Sequence, residues 1–171
     1  MILGLIPSRL NSKRLKEKPL KEIEGLPLIV HTLKRAQLSK TLDKIIVCTD
    51  SNKIIDVIKK NGGEAIMTSN KHINGTERIA EVAKKYQTKL IVDIQGDEPL
   101  LDPKHIDKVV NFHQQNKNFD IILPTLKFYN PSSPNICKVV CSNKKVLYIS
   151  RSVVPYSFKK KPKYYNKHLS I

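Results

Sequence analysis

The sequence has little of what marks a secreted or membrane-spanning protein. Its three cysteines are an odd number, which argues against a disulfide framework. No apolar run approaches the roughly 18 residues that a membrane span needs, and the short apolar start lacks the basic residues of a signal peptide. These absences predict a cytoplasmic protein that has no membrane partner.

Two of the cysteines, Cys137 and Cys141, lie in a stretch whose β-branched residues predict a strand over residues 136–141. Four strand residues span roughly 13 Å, whereas two ligands of one small ion must lie far closer together. We therefore do not expect this pair to form a zinc site.

Acidic residues are scarce, with 15 against 31 basic residues, so the formal net charge is +16. Such a charge is typical of nucleic-acid-binding proteins. The chain has no tryptophan and few aromatic residues, however, and lysine pairs such as Lys59-Lys60 fall late in predicted helices, where they favour the helix dipole and face solvent. We interpret most of the charge as solvated surface and expect no nucleic-acid partner. The alternative, polyanion binding, predicts strong salt dependence.

Arginine is rare among these basic residues. In a chain that otherwise uses lysine, an arginine indicates a position that needs a planar, forked donor rather than a point charge. One of the five lies inside an ordinary amphipathic helix pattern, which leaves four to explain. The five are Arg9, Arg14, Arg35, Arg78 and Arg151.

Strand and helix patterns alternate along most of the chain, which predicts βαβ crossovers and a largely parallel sheet that is covered on both faces. The strand patterns fall at residues 2–7, 44–48, 65–67 and 89–94, and helical patterns begin at Pro27, Ser51, Asn74 and Asp102. Later strand patterns, with little helix between them, predict mixed or antiparallel pairing. They fall at 120–123, 136–141 and 146–149, with a further strand starting near His168.

We predict a single α/β domain over residues 1–171. The chain stops on the apolar segment Leu169-Ser170-Ile171, which predicts a fragment of a longer protein. In open α/β sheets, ligands bind beyond the carboxyl ends of the strands, and three polar segments are expected there.

The first segment follows the first predicted strand, where a phosphate-binding loop would lie. It lacks the glycines whose amides cradle phosphate in Walker and dinucleotide loops. Instead it carries Arg9, Arg14, Lys18 and several hydroxyls. Charge-assisted contacts from such groups can hold a triphosphate and neutralise a pyrophosphate leaving group. The alternative is a solvated basic loop.

The second segment opens the third predicted helix, where Asn74 and Glu77 have the spacing of a capping box. Arg78 in the first turn opposes the helix dipole, so another partner must favour it. A phosphate or a nucleobase edge would do so. The alternative is a surface salt bridge.

The third segment, Gln95-Gly96-Asp97-Glu98-Pro99, follows the strand pattern at 89–94. A carboxylate at a strand's carboxyl end, next to a glycine that allows close approach, suits a hard cation such as Mg²⁺. Magnesium would then bridge phosphate oxygens. The alternative, a strand-ending turn before a helix capped by Asp102, explains Asp102 better than Asp97.

Together these segments resemble the CMP-KDO synthetases (3-deoxy-manno-octulosonate cytidylyltransferases). The related CMP-sialic acid synthetases have a similar first loop but lack the other two motifs. The resemblance runs in order over the whole chain, and its last motif is similar to the family's Arg-His-Leu-Gly-Ile stretch. The motifs are Pro7-Ser8-Arg9, Ser12-Lys13-Arg14, Lys18-Pro19-Leu20, His72 to Arg78, Gln95 to Pro99, Asn135 to Val140, Ser150-Arg151 and Lys167 to Ile171.

The resemblance implies a Rossmann-like, three-layer nucleotidyltransferase fold with a mostly parallel mixed sheet, and a homodimer. It implies transfer of CMP from CTP to KDO for lipopolysaccharide biosynthesis, with Mg²⁺ as cofactor. By this resemblance Arg9, Arg14 and Lys18 hold the triphosphate, Asp97 binds Mg²⁺, and Arg151 and His168 face the acidic sugar. The nucleotide-binding set also includes Pro7, Ser8, Asn74, Gly75, Arg78 and Gln95.

The sequence departs from the family pattern at three places. Asn74 replaces a serine, and Lys16-Glu17 replaces Pro-Gly. The third departure is length, because the family's second magnesium-binding aspartate and a sugar-site tyrosine lie beyond Ile171. We therefore expect a chain without its C-terminal third. Two alternatives stay open, which are a catalytically incompetent nucleotide-binding fragment and a nucleotidyltransferase that acts on another acidic sugar.

Overall fold

The computed structural model describes residues 1–11, 15–159 and 162–171. Their contacts group into two compact units, residues 1–117 with Ile171 and residues 118–170. Each unit is described by itself below. The single domain that the sequence predicts over residues 1–171 stays a prediction.

Strands and helices alternate in the first unit, as the sequence predicts. The strands are β1 (Ile2–Ser8), β2 (Glu22–Ile23), β3 (Leu26–Pro27), β4 (Lys44–Thr49), β5 (Glu64–Met67) and β6 (Leu90–Asp93). The helices are α1 (Leu28–Ala36), α2 (Asn52–Lys60), α3 (Gly75–Ala83) and α4 (Pro103–Gln115), and a short 3₁₀ turn covers Lys18–Leu20.

The central sheet of this unit is parallel, with strand order β5-β4-β1-β6. β1 lies between β4 and β6, with Ser8 opposite Thr49 and Leu5 opposite Asp93. All four strands therefore end at the same edge of the sheet. The predicted α/β architecture with a parallel sheet is confirmed, and the loops that leave this edge are those that carry the sequence motifs.

Helices cover both faces of the sheet. On one face, buried aliphatic side chains of α1, α2 and α4 pack with Ile6 of β1 and Val47 of β4. On the other face, Ile79 and Val82 of α3 pack against Leu3, Leu5 and Ile46. Burying such a side chain contributes about 2 kcal/mol, so the apolar stripes that the periodicity predicts hold the three layers together.

The helix ends follow the predicted signals with one exception. Asn74 caps α3, since its side chain accepts a 2.8 Å hydrogen bond from the amide of Glu77, whose carboxylate in turn accepts from the amide of Ile73 at 2.9 Å. Gly62 has a φ of +75° after α2. Pro27 is not the first residue of α1, because it is extended and pairs with Glu22 in the β2–β3 hairpin.

The second unit contains an antiparallel sheet. Its strands are β7 (Thr125–Phe128), β8 (Lys138–Ser142), β9 (Lys145–Ser150) and β10 (Tyr165–His168), in the order β7-β10-β8-β9. The turn between β8 and β9 places Asn143 and Lys144 at positive φ, as tight hairpin turns require. The predicted antiparallel pairing of the later strands is confirmed.

Two strand predictions in this unit are wrong. Residues 120–123 form no strand, and Ile121 is 82% exposed. The run is apolar, but the chain meets its partner β10 only after Pro124, so pairing begins at Thr125. His168 ends a strand rather than starting one. In the part of the chain that the structure describes, no helix is long and apolar enough to cross a membrane.

Candidate functional site

Two glycines bring the three motif segments together at Pro7, near the end of β1. A Cβ atom on Gly96 would lie 2.7 Å from the carbonyl oxygen of Pro7. A Cβ atom on Gly75 would lie 3.0 Å from the Cγ atom of Pro7. Glycine at these positions therefore allows the loop after β6 and the start of α3 to approach β1 closely. The segments converge at the carboxyl edge of the sheet, as predicted.

An ion pair joins the first and third segments. The ammonium of Lys18, at the start of the 3₁₀ turn, contacts the carboxylate of Asp97. Both side chains keep solvent access, at 30% and 48% exposure. A cationic group that suits phosphate and a carboxylate that suits a hard cation thus lie side by side. Arg9 is exposed directly after β1, and Arg14 lies outside the described residues.

Asp97 fits the proposed magnesium site by its chemistry. It is a half-exposed carboxylate at the edge of the sheet, next to the close approach of Gly96. Magnesium is held by one or two carboxylates together with substrate phosphates. Asp97 can supply such a ligand, and the neighbouring Lys18 ammonium has the charge that suits phosphate.

Arg78 is buried, with only 3% exposure, and has two partners among the residues that the structure describes. Its Nη1 donates to the hydroxyl of Thr68, and its Nη2 lies 2.9 Å from Oδ2 of Asp50. The partly buried carboxylate of Asp50, at 16% exposure, therefore offsets the unfavourable helix dipole that made Arg78 notable in the sequence. Its role beside the nucleotide stays a prediction.

Asp50 is a site residue that the sequence analysis missed. It follows β4, and its Oδ1 accepts a 3.1 Å hydrogen bond from the amide of Leu10 in the loop after β1. One carboxylate thus ties the start of that loop to Arg78. The available signal was an acid two residues after the predicted strand at 44–48 and directly before Ser51, where a helical pattern begins.

Gln95 is oriented by its neighbour Asp93. The Nε2 atom of Gln95 donates to Oδ1 of Asp93 at 3.2 Å. Burial raises the pKa of the Asp93 carboxyl, and the hydrogen bond from Gln95 offsets part of that rise. One N–H of the Gln95 amide is therefore used by Asp93, and its amide oxygen and second N–H are the groups that Gln95 can offer to a ligand.

Two other predicted nucleotide contacts have contrasting surroundings. The hydroxyl of Ser8 is buried and has no hydrogen-bond partner within the described residues, and the same holds for Thr49 opposite it. Asn74, by contrast, uses its side chain to cap α3. Ser8 thus keeps a free hydrogen-bonding capacity, whereas the helix cap already explains Asn74.

The two predicted sugar-binding residues lie in the second unit. Arg151 directly follows β9, and its Nη1 donates to the carbonyl oxygen of Pro134 at 3.0 Å. His168 ends β10, and burial lowers its pKa. Burial thus favours the neutral imidazole of His168, so the expected cation for a sugar carboxylate is Arg151, and His168 is suited to hydrogen bonding instead.

Comparison with known proteins agrees with this geometry. The sequence model of the family described as Cytidylyltransferase matches residues 3–171. The chain belongs to the cytidylyltransferase family. Two of its relatives are named 3-deoxy-manno-octulosonate cytidylyltransferase, one from Fusobacterium nucleatum at 44% identity and one from Leptospira biflexa at 42%, each aligned over 99% of this chain and 71% of its own length.

The fold of this cytidylyltransferase is similar to that of a solved structure. That structure is CMP:2-keto-3-deoxy-manno-octonic acid synthetase complexed with CTP, which is 32% identical with a TM-score of 0.89. The alignment covers 98% of this chain and 71% of the solved one. A bifunctional IspDF from Campylobacter jejuni, at 15% identity and a TM-score of 0.61, shares the fold alone.

Replacing Gly96 by alanine is expected to destabilise this cytidylyltransferase by about 1–3 kcal/mol, because the new Cβ would collide with a backbone carbonyl. The backbone of β1 cannot move away from this Cβ atom without disturbing its pairing with β4. Gly75→Ala is the matched control, since its Cβ would meet the ring of Pro7 at a position where helix propensity favours alanine. Urea unfolding measures both, and equal stability of the two variants would contradict the close approach at Gly96.

His168 is expected to make stability depend on pH. Its ordinary pKa of 6.5 is lowered in the folded chain, so the unfolded chain binds the proton first as the pH falls. The stability that neutral His168 provides is full above the ordinary pKa and is lost below it. Between about pH 7.5 and about pH 5.5, Tm should fall further in the wild type than in His168→Gln. His105→Gln on α4 is the control and should behave as the wild type does.

Proposed function

We propose that this cytidylyltransferase transfers CMP from CTP to the anomeric hydroxyl of KDO, for lipopolysaccharide biosynthesis. The observation that carries the proposal is the contact between Lys18 and Asp97 at the carboxyl edge of the sheet. This contact supports the proposal because it joins a cation that suits phosphate to a carboxylate that suits a hard cation. The names of the relatives and the CTP complex of the similar structure support the choice of substrates.

In this reaction the anomeric oxygen of the sugar attacks the α-phosphorus of CTP, and its proton passes to solvent water. The bond between the α-phosphorus and the bridging oxygen breaks, and pyrophosphate leaves. No covalent enzyme intermediate is needed, so catalysis consists of positioning and charge stabilisation. Lys18 and Arg9, with Arg14 of the same loop, neutralise the charge that develops on the leaving group.

Magnesium is the proposed cofactor, held by Asp97 together with the phosphates. When bound, Mg²⁺ offsets negative charge on the phosphate oxygens. Gln95 and Arg78 are proposed to lie near the nucleotide, since both stand beside the same sheet edge. Asp50 positions Arg78 and the start of the triphosphate loop.

The sugar carboxylate is proposed to bind Arg151, because a guanidinium is a forked donor that matches a carboxylate. We also propose a homodimer that works in the cytoplasm. Strand β9 supports a dimer, since it is an edge strand whose apolar side chains are exposed. These side chains are Val146, Leu147, Tyr148 and Ile149.

A pyrophosphate-release assay with CTP, Mg²⁺ and KDO tests this function, with mass spectrometry of the sugar product. The expected result is KDO-dependent release and a product that contains CMP. Turnover with another acidic sugar but not with KDO would reassign the acceptor. CTP binding without any turnover would indicate a catalytically incompetent nucleotide-binding fragment and would overturn the proposal for this chain.

A further inference from the structure

Lys138 has the largest fully buried side chain among the residues that the structure describes, although it is a lysine. It opens β8, which lies between β10 and β9. Its ammonium donates three hydrogen bonds, to the carbonyl oxygens of Ser133 at 2.8 Å, Ile136 at 3.1 Å and Arg151 at 2.7 Å. A lysine ammonium has three donors, so its hydrogen-bonding capacity is fully used.

This cation is buried without a counter-ion. Among the described residues, no carboxylate pairs with Lys138. A buried charge without an opposite charge is unfavourable even when it is hydrogen-bonded. An apolar residue of similar length would pack in the sheet at lower cost, so a stability role alone does not account for a lysine at this position.

The three carbonyl oxygens that accept from Lys138 lie in two places, the turn before β8 and the backbone of Arg151. Ser133 and Ile136 belong to the turn before β8, and that turn contains Pro134, whose carbonyl oxygen receives Nη1 of Arg151 at 3.0 Å. The third acceptor is the carbonyl oxygen of Arg151 itself. Lys138 therefore holds Arg151 at its backbone and also holds the turn to which the Arg151 guanidinium is attached.

We propose that Lys138 is a positioning residue for Arg151, and so for recognition of the acidic group of the sugar. The proposal rests on the proposed function, in which Arg151 binds the sugar carboxylate. Lys138 does not need to touch the substrate. It fixes the backbone and the side chain of the arginine that does, and its buried charge adds to the positive potential at that place.

The test compares Lys138→Met with Lys145→Met, which removes the same charge from exposed strand β9. In Lys138→Met, the KM for KDO should rise about tenfold or more, as expected when a charge-assisted contact is weakened, while the KM for CTP stays within about twofold. Lys145→Met should change neither. An equal rise in both KM values, or no rise, would overturn the proposal.

A double-mutant cycle shows whether Lys138 affects KDO binding through Arg151 or independently of Arg151. If Lys138 acts through Arg151, then Lys138→Met should add little to the KDO defect of Arg151→Ala. Additive defects would overturn the proposal. If Lys138→Met fails to fold, Lys138→Gln replaces it, because its amide keeps two donors without the charge.

A measurement that does not depend on turnover keeps failure of this inference distinct from failure of the proposed function. The chain has five arginines, so the Arg151 side-chain signal can be assigned in ¹⁵N NMR by its loss in Arg151→Lys. Lys138→Met should shift that signal toward the position of a free arginine, and Lys145→Met should not. An unchanged signal would overturn the proposal, whether or not the wild type uses KDO.

Discussion

Replacing Asp97 by asparagine is expected to lower kcat for CMP transfer by about 10²-fold or more, the loss typical when one element of transition-state charge stabilisation is removed. Asparagine keeps the shape of the side chain but removes the negative charge that would hold magnesium. Asp97 is also the carboxylate that Lys18 contacts. The measurement is pyrophosphate release at saturating CTP and KDO over a range of Mg²⁺ concentrations.

Asp56→Asn makes the same chemical change on the exposed side of α2 and is the matched control. It should leave kcat unchanged. The stability of Asp97→Asn should also stay near that of the wild type, because exposed ion pairs contribute only about 0–1 kcal/mol. A fully active Asp97→Asn variant would show that the magnesium site lies elsewhere.

Replacing Asp50 by alanine is expected to lower the free energy of unfolding by about 3–5 kcal/mol, the usual effect of removing one partner from a buried ion pair. Arg78 is 3% exposed, so its charge would remain buried, and Thr68 would be its remaining partner among the described residues. The amide of Leu10 would lose its acceptor as well. Urea unfolding monitored by circular dichroism measures the change.

Two further variants separate this effect from the simple loss of a surface charge. Glu64→Gln removes a carboxylate from an exposed pair with Lys44 and should cost at most about 1 kcal/mol. The double variant Asp50→Ala/Arg78→Met removes both charges and should be more stable than Asp50→Ala alone. A double variant that is less stable than Asp50→Ala would contradict the account of a buried, coupled pair.

The features that sequence predicted well are those that local patterns control. The periods of 2 and 3.6 residues place the strands and helices of the first unit, and the cap signals at Asn74 and Asp102 start α3 and α4 where expected. The alternation of strands and helices also predicts that Lys18 and Asp97 lie close together, because parallel strands end at one edge of the sheet.

The features that sequence missed depend on partners that are distant along the chain. Asp50 is 28 residues from Arg78, so nothing local indicates that the two would pair. The apolar run at 120–123 has strand composition, but its exposure follows from where β10 pairs. Lys138 counts as an ordinary polar residue in a strand pattern, and only the folded hairpin shows that its ammonium is enclosed by three carbonyl oxygens.

The loop after β1 and Asp97 are proposed to hold one nucleoside triphosphate together with its metal. Isothermal titration of CTP measures this binding, in Mg²⁺ and in EDTA, with the wild type and with Lys18→Met. We expect one CTP per chain, bound about tenfold or more weakly when Mg²⁺ is chelated or when the Lys18 charge is removed. CTP binding that is equally tight under all of these conditions would show that neither the metal nor Lys18 takes part in holding the triphosphate.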